Sequence, residues 1–76
     1  MWIKSDYSTK GIPVNIEKCL YIYLDEEIFP GMSGHITYYY IIFIFENAEI
    51  KWEYDGQNMR NKEFHALLNL IPIKIL

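Results

Sequence analysis

From Ile36 to Phe45 the chain runs through ITYYYIIFIF, a nearly uninterrupted stretch of β-branched and aromatic residues. It then passes Glu46-Asn47-Ala48-Glu49 and enters Ile50-Lys51-Trp52-Glu53-Tyr54, where apolar and charged positions alternate strictly. The first stretch is about half of the ~20 residues a helix needs to cross a bilayer. Its composition favours a strand over a helix. The two stretches therefore predict a β-hairpin, with strands near 36–45 and 49–54.

A two-residue turn at Asn47-Ala48 would set Phe45 opposite Ile50, Phe43 opposite Trp52 and Ile41 opposite Tyr54. Tyr38, Tyr40, Ile42 and Ile44 would then share the other face, with Lys51 and Glu53 beside them. A three-residue turn would exchange the faces and put Phe43 and Phe45 in place of the isoleucines. In either register the longer strand is apolar on both faces and the shorter one on a single face.

Upstream, Cys19 to Asp25 alternates as well. Leu20, Ile22 and Leu24 suit a core, and Tyr21 and Tyr23 suit a face where their hydroxyls reach water. Trp2-Ile3 reads as an N-terminal edge strand and Val14-Asn15-Ile16 as a short strand or bridge. Lys10-Gly11-Ile12-Pro13 reads as a turn, because Pro13 cannot donate to a ladder. Asp25 to Gly34, with its acidic triplet and Pro30-Gly31, reads as the longest loop. Phe64, Leu67, Leu68 and Ile71 fall at i, i+3, i+4 and i+7. They predict a helix over about 60–70, capped by Asn58 or Asn61 and ended before Pro72. Residues 73–76 suit a short terminal strand or docking tail.

These elements make one α+β domain over residues 1–76. It is a small, mostly antiparallel β-meander of three to five strands, with one C-terminal α-helix packed on one face. One helix covers about one sheet face. The other face of the 36–45 strand needs a further cover, supplied by residues 1–16, by residues 72–76 or by another molecule.

Composition narrows the candidates. A 76-residue chain buries only about 60–65% of its unfolded surface and gains from an added staple or partner. The single cysteine, Cys19, excludes an intrachain disulfide and suits a reducing compartment. The two histidines, His35 and His65, lack neighbours at metal-ligand spacing. A net charge of −3 disfavours nucleic acid and anionic membranes as partners. No basic segment followed by an apolar run opens the chain, so a cytoplasmic location is expected. Ile, Lys, Asn, Tyr and Phe supply 35 of the 76 residues, whereas Arg appears once. That usage fits an AT-rich bacterial or phage genome.

No catalytic arrangement is visible, so no enzyme activity and no cofactor are expected. Cys19 reads as a small hydrophobe, Arg60 and Lys62 as solvated, and Asp25-Glu26-Glu27 as a solvated acidic turn lacking the spacing of a calcium loop. Glu46, Glu49 and Glu53 serve equally as contacts for a basic surface or as charges that blunt a strand edge. The partner-binding set is Tyr21, Tyr23, Tyr38, Tyr40, Ile42 and Ile44, an aromatic and aliphatic face suited to an interface. It points to a small protein-interaction module, regulatory or inhibitory, of a kind a phage or mobile element encodes against a host system. Its partner would be a second copy in a homodimer, or another protein. The alternative is a domain holding a nucleotide-like or aromatic small molecule against the tyrosines.

Overall fold

The alternating stretch is realised as a strand paired to its predecessor. In the computed structural model, which describes residues 1–70 and the backbone of 74–75, β1 (Trp2–Ile3) and β2 (Val14–Asn15) pair antiparallel as a separate two-stranded ribbon. A 3-10 turn at Ile16–Lys18 leads to β3 (Tyr21–Gly31), β4 (Gly34–Ile44), β5 (Glu49–Tyr54), helix α1 (Gln57–Leu68) and β6 (Lys74–Ile75). The main sheet has the order β5-β4-β3-β6. Its first three strands are antiparallel, and β6 lies parallel to β3 at Tyr21 and Ile22. The α+β meander with one C-terminal helix is therefore the fold.

Parity divides the sheet into two chemically different faces. Ile22 and Leu24 of β3, Tyr39, Ile41 and Phe43 of β4, and Ile50, Trp52 and Tyr54 of β5 share one face. Phe64 and Leu67 of α1 pack there, with Val14 and Ile16 from the N-terminal segment, around fully buried Ile22, Ile41, Phe43, Trp52 and Tyr54. Phe43 and Trp52 meet edge to face, 4.6 Å between centroids. The N-terminal segment is fastened over this layer. The Trp52 indole N–H donates to Ile12 O at 2.7 Å, and Thr9 N donates to Glu53 O at 3.0 Å.

A buried polar cluster ties the same segment to the helix. Ser5 and Tyr54 both donate hydroxyl hydrogens to Glu63 Oε1, and Asp6 N donates to Oε2 at 3.1 Å. Ser5 Oγ accepts in turn from Ser8 N at 2.7 Å. Burial first, and then the Glu63 carboxylate, push the Tyr54 phenol well above its ordinary value.

Several expectations need correction. Asp25 to Gly34 is not a loop: β3 and β4 are eleven residues each and join through Met32-Ser33 alone. Gly34 completes the reversal at φ 130°, a conformation L side chains rarely adopt. The β4–β5 connection is the four residues Phe45–Ala48, closed by Phe45 N to Ala48 O at 2.8 Å. Phe43 therefore lies opposite Ile50, Ile41 opposite Trp52 and Tyr39 opposite Tyr54. The faces are those of the two-residue turn, and the register is displaced by two.

The helix begins at Gln57 behind Gly56, which caps it with no side-chain bond, rather than at Asn58 or Asn61. Leu20 and Leu24 are exposed, leaving Ile22 as the core residue of that alternation. Trp2-Ile3 pairs outside the main sheet. Arg60 is buried instead of solvated: its guanidinium donates to Asp25 O at 2.9 Å and lies over the Tyr39 ring. Ile71 lies outside the described residues, as do 72–73 and 76. The expected terminal strand is present at 74–75.

Candidate functional site

Register brings all six expected contact residues onto the sheet face away from the helix. Tyr21 pairs with Ile44, and Tyr23 with Ile42; Tyr40 and Tyr38 follow along β4. The same face continues outward through Glu27, Phe29 and Ile36, and sideways to Glu49, Lys51 and Glu53 of β5. Residues 1–16 do not cover it. Val14 and Ile16, with the Trp52–Ile12 bond, place that segment on the helix side.

The centre of this face is roofed by its own long side chains. Lys51 Nζ lies 5.4 Å from the Tyr40 ring centroid and 3.9 Å from a Glu27 carboxylate oxygen, so it crosses β4. The Tyr23 hydroxyl donates to Glu49 Oε1 at 3.5 Å, crossing the same strand further along. Under these braces Ile42 is 0% exposed and Tyr40 7% exposed. An amphipathic stem covers apolar surface while its charged head stays in water. Partial burial, with the Glu49 carboxylate for Tyr23 and the Glu27 carboxylate for Tyr40, raises both phenols above their ordinary value. Tyr21, Tyr23, Tyr38 and Ile44 are half-buried.

The exposed apolar surface is concentrated further out. β5 ends at Tyr54, opposite Tyr39. Beyond it β3 and β4 continue as a two-stranded arm with the pairs Glu27–Tyr38, Ile28–Thr37, Phe29–Ile36, Pro30–His35 and Gly31–Gly34. At about 3.4 Å per residue, such an arm reaches roughly 17 Å beyond the three-stranded base. Phe29 meets Tyr38 edge to face at 5.6 Å. Yet Phe29 remains 44% exposed, Ile36 54% and Ile28 60%, with Met32 fully exposed at the turn. Sequence reading placed Ile28, Phe29 and Met32 in a loop and left Ile36, at the start of its expected strand, out of the contact set. Two signals were present: an apolar Ile28-Phe29 pair inside the acidic stretch, and two equal segments flanking Met32-Ser33.

The remaining candidates separate in space. His35 and His65 are both exposed, one on the arm and one on the helix. Cys19 is half-buried, and burial raises its thiol above the ordinary value, which disfavours the nucleophilic thiolate. Among the described residues, no three His, Cys, Asp or Glu side chains come together as metal ligands would. No helix of the described residues is long and apolar enough to cross a membrane. Two grooves open away from the tyrosine face. One, about 410 Å³, is lined mostly by Trp2, Val14, Phe45 and Ile50; the other, about 260 Å³, lies between Ile3, Trp52, Glu63 and Leu67. Comparison with protein-family models, curated proteins and solved structures finds no match.

Proposed function

We propose that this chain is a small cytoplasmic protein-interaction module, regulatory or inhibitory, that engages a second copy or another protein through the tyrosine face and the arm continuous with it. One observation carries this reading: Phe29 and Ile36 stand exposed together on the tyrosine side of a projecting two-stranded arm, with Met32 exposed at its turn. An isolated hairpin of this kind is marginal in water, and exposed apolar groups gathered on it gain from a partner. Burying such a side chain stabilises a complex by about 1.5–3 kcal/mol before the costs of association. Tyr38 and Tyr23 suit the adjoining rim, because their rings bury apolar area while their hydroxyls keep polar partners.

The test is affinity capture from cells that make the chain, with wild type against Phe29→Lys and Tyr38→Ala, alongside their melting curves. A protein retained by wild type and lost with both folded variants supports the reading. Retention indifferent to both substitutions would remove this surface from the function.

A further inference from the structure

The strand edges of this sheet are protected unequally. Leu20 N donates to Ile44 O, so even-numbered residues of β4 turn their polar groups to β3, and odd-numbered ones turn theirs outward. The outward side of β5 is engaged at Glu53, whose O accepts from Thr9 N at 3.0 Å and from Ser8 Oγ at 2.7 Å, and its other outward residues, Glu49 and Lys51, are charged. The outward side of β3 carries β6 at Tyr21 and Ile22. Further out, the same edge is blunted three ways. Asp25 Oδ1 takes up Glu26 N at 2.8 Å, Glu26 and Glu27 add charge, and Pro30 has no N–H.

The arm's other edge has none of these devices. Gly34-His35-Ile36-Thr37-Tyr38 contains no carboxylate, lysine, arginine or proline. The outward N–H and C=O groups of His35 and Thr37 have no hydrogen-bond partner among the described residues. β5 stops just short of them, at Tyr54 opposite Tyr39.

We infer that Gly34–Tyr38 pairs antiparallel with the same segment of a second copy, across a two-fold axis at Ile36. This rests on the interaction reading above and names the partner. Charge selects the edge over the face. Two copies stacked on their tyrosine faces would oppose Asp25, Glu27, Glu49 and Glu53 of each with one Lys51 of each, whereas the 34–38 segment brings no charge to its own image. Length selects the register. With Ile36 on the axis, Gly34 of the partner subunit lies opposite Tyr38, and the partner's turn abuts the end of β5. Sliding further together would drive that turn into Tyr54. His35 then exchanges both backbone bonds with Thr37 of the partner subunit, matching their outward parity. Phe29, Ile36 and Tyr38 from both copies close into one apolar cluster over the axis.

Sedimentation of the purified chain at tens of micromolar tests this, with circular dichroism and melting as folding controls. Wild type is expected to be dimeric. Ile36→Lys, which sets two ammonium groups on one axis, and Thr37→Pro, which removes an outward donor without touching the ladder to β3, should each weaken the dimer by at least about tenfold. The residues facing each other on the axis have Cα atoms about 4.5 Å apart, within the disulfide range. In a Cys19→Ser background, Ile36→Cys should therefore oxidise to a covalent dimer, and Leu24→Cys on the β3 edge should not. A monomeric wild type, or a dimer unmoved by both edge substitutions, overturns the inference. A monomer that still captures another protein through Phe29 and Tyr38 also overturns it, and leaves the interaction reading standing.

Discussion

The inner and outer halves of the β3–β4 hairpin are one continuous ladder in two different physical situations. Inward of Tyr39, each strand is layered. Helix and N-terminal segment lie on one side, and on the other Lys51 lies over Tyr40 while Tyr23 reaches across to Glu49. Outward of it, neither face has a layer among the described residues, and Ile28, Phe29 and Ile36 stand exposed. Residue type does not separate the halves, since isoleucine and aromatic residues occur in both. The difference is what the chain places against them. Where it supplies cover, apolar strand residues are core; where it supplies none, they are surface available to another molecule.

The sharpest contrast is energetic. Leu67 is 4% exposed and seats the helix on the sheet beside Trp52. Leu67→Ala should cost about 2–5 kcal/mol and Trp52→Ala about 3–5, out of the roughly 5–15 kcal/mol that holds a domain together. Urea unfolding followed by tryptophan fluorescence (circular dichroism for the Trp52 variant) measures both. A loss below 1 kcal/mol for Leu67→Ala would show that the helix does not stabilise the inner half.

A smaller effect isolates the polar tie that holds the inner layer on. Tyr54→Phe removes one donor to the buried Glu63 carboxylate and should cost about 1.5–3 kcal/mol at neutral pH. The Tyr54 phenol is held above its ordinary value, so its contribution is fully present below about pH 10, where the unfolded phenol is neutral too. As the pH rises past that point the unfolded chain ionises first. Wild-type stability then falls by about 1.4 kcal/mol per pH unit for each such phenol. The Phe variant lacks this loss, so the gap between the two proteins should narrow in alkali. Paired melting curves from neutral pH upward check it, and a gap independent of pH would assign the cost to packing alone.

The inner half was largely legible in the sequence because its signals are local. The alternation of Ile50, Lys51, Trp52, Glu53 and Tyr54 fixes which residues share a face. Phe64, Leu67 and Leu68 fix the side the helix turns inward. Register was not legible, because Phe45 has strand composition but closes the four-residue connection to Ala48. Arg60 and Glu63 complete the helix's buried face, and their partners are far along the chain: Asp25 O for one, Ser5 and Asp6 for the other. No helical periodicity encodes those contacts. The arm's first strand and its turn were misread as a loop for a related reason. Charges and proline on an outer edge serve to stop pairing with other chains, and in sequence they resemble a turn. The tyrosine face was legible as a face, but its cover was not. Ile42 is 0% exposed although its neighbour on β5 is Lys51, a side chain that reads as solvent.

The smallest expected change in stability tests the outer half. Ile28→Ser and Ile36→Ser remove apolar groups that touch little within the chain, so each should move stability by no more than about 0.5 kcal/mol when the protein is monomeric. Ile28 and Ile36 project on opposite faces of the arm, since Ile28 pairs with Thr37 and Ile36 with Phe29. The pair of substitutions therefore also asks which face is used. If the arm serves only to complete the fold, both variants should melt lower at every concentration. If it serves association, Ile36→Ser should abolish any rise of the melting temperature with protein concentration, because linkage stabilises a folded chain only through the partner it binds. Ile28→Ser, on the face away from the tyrosines, should leave that dependence intact. Loss of the dependence in Ile28→Ser alone would move the contact to the other face of the arm.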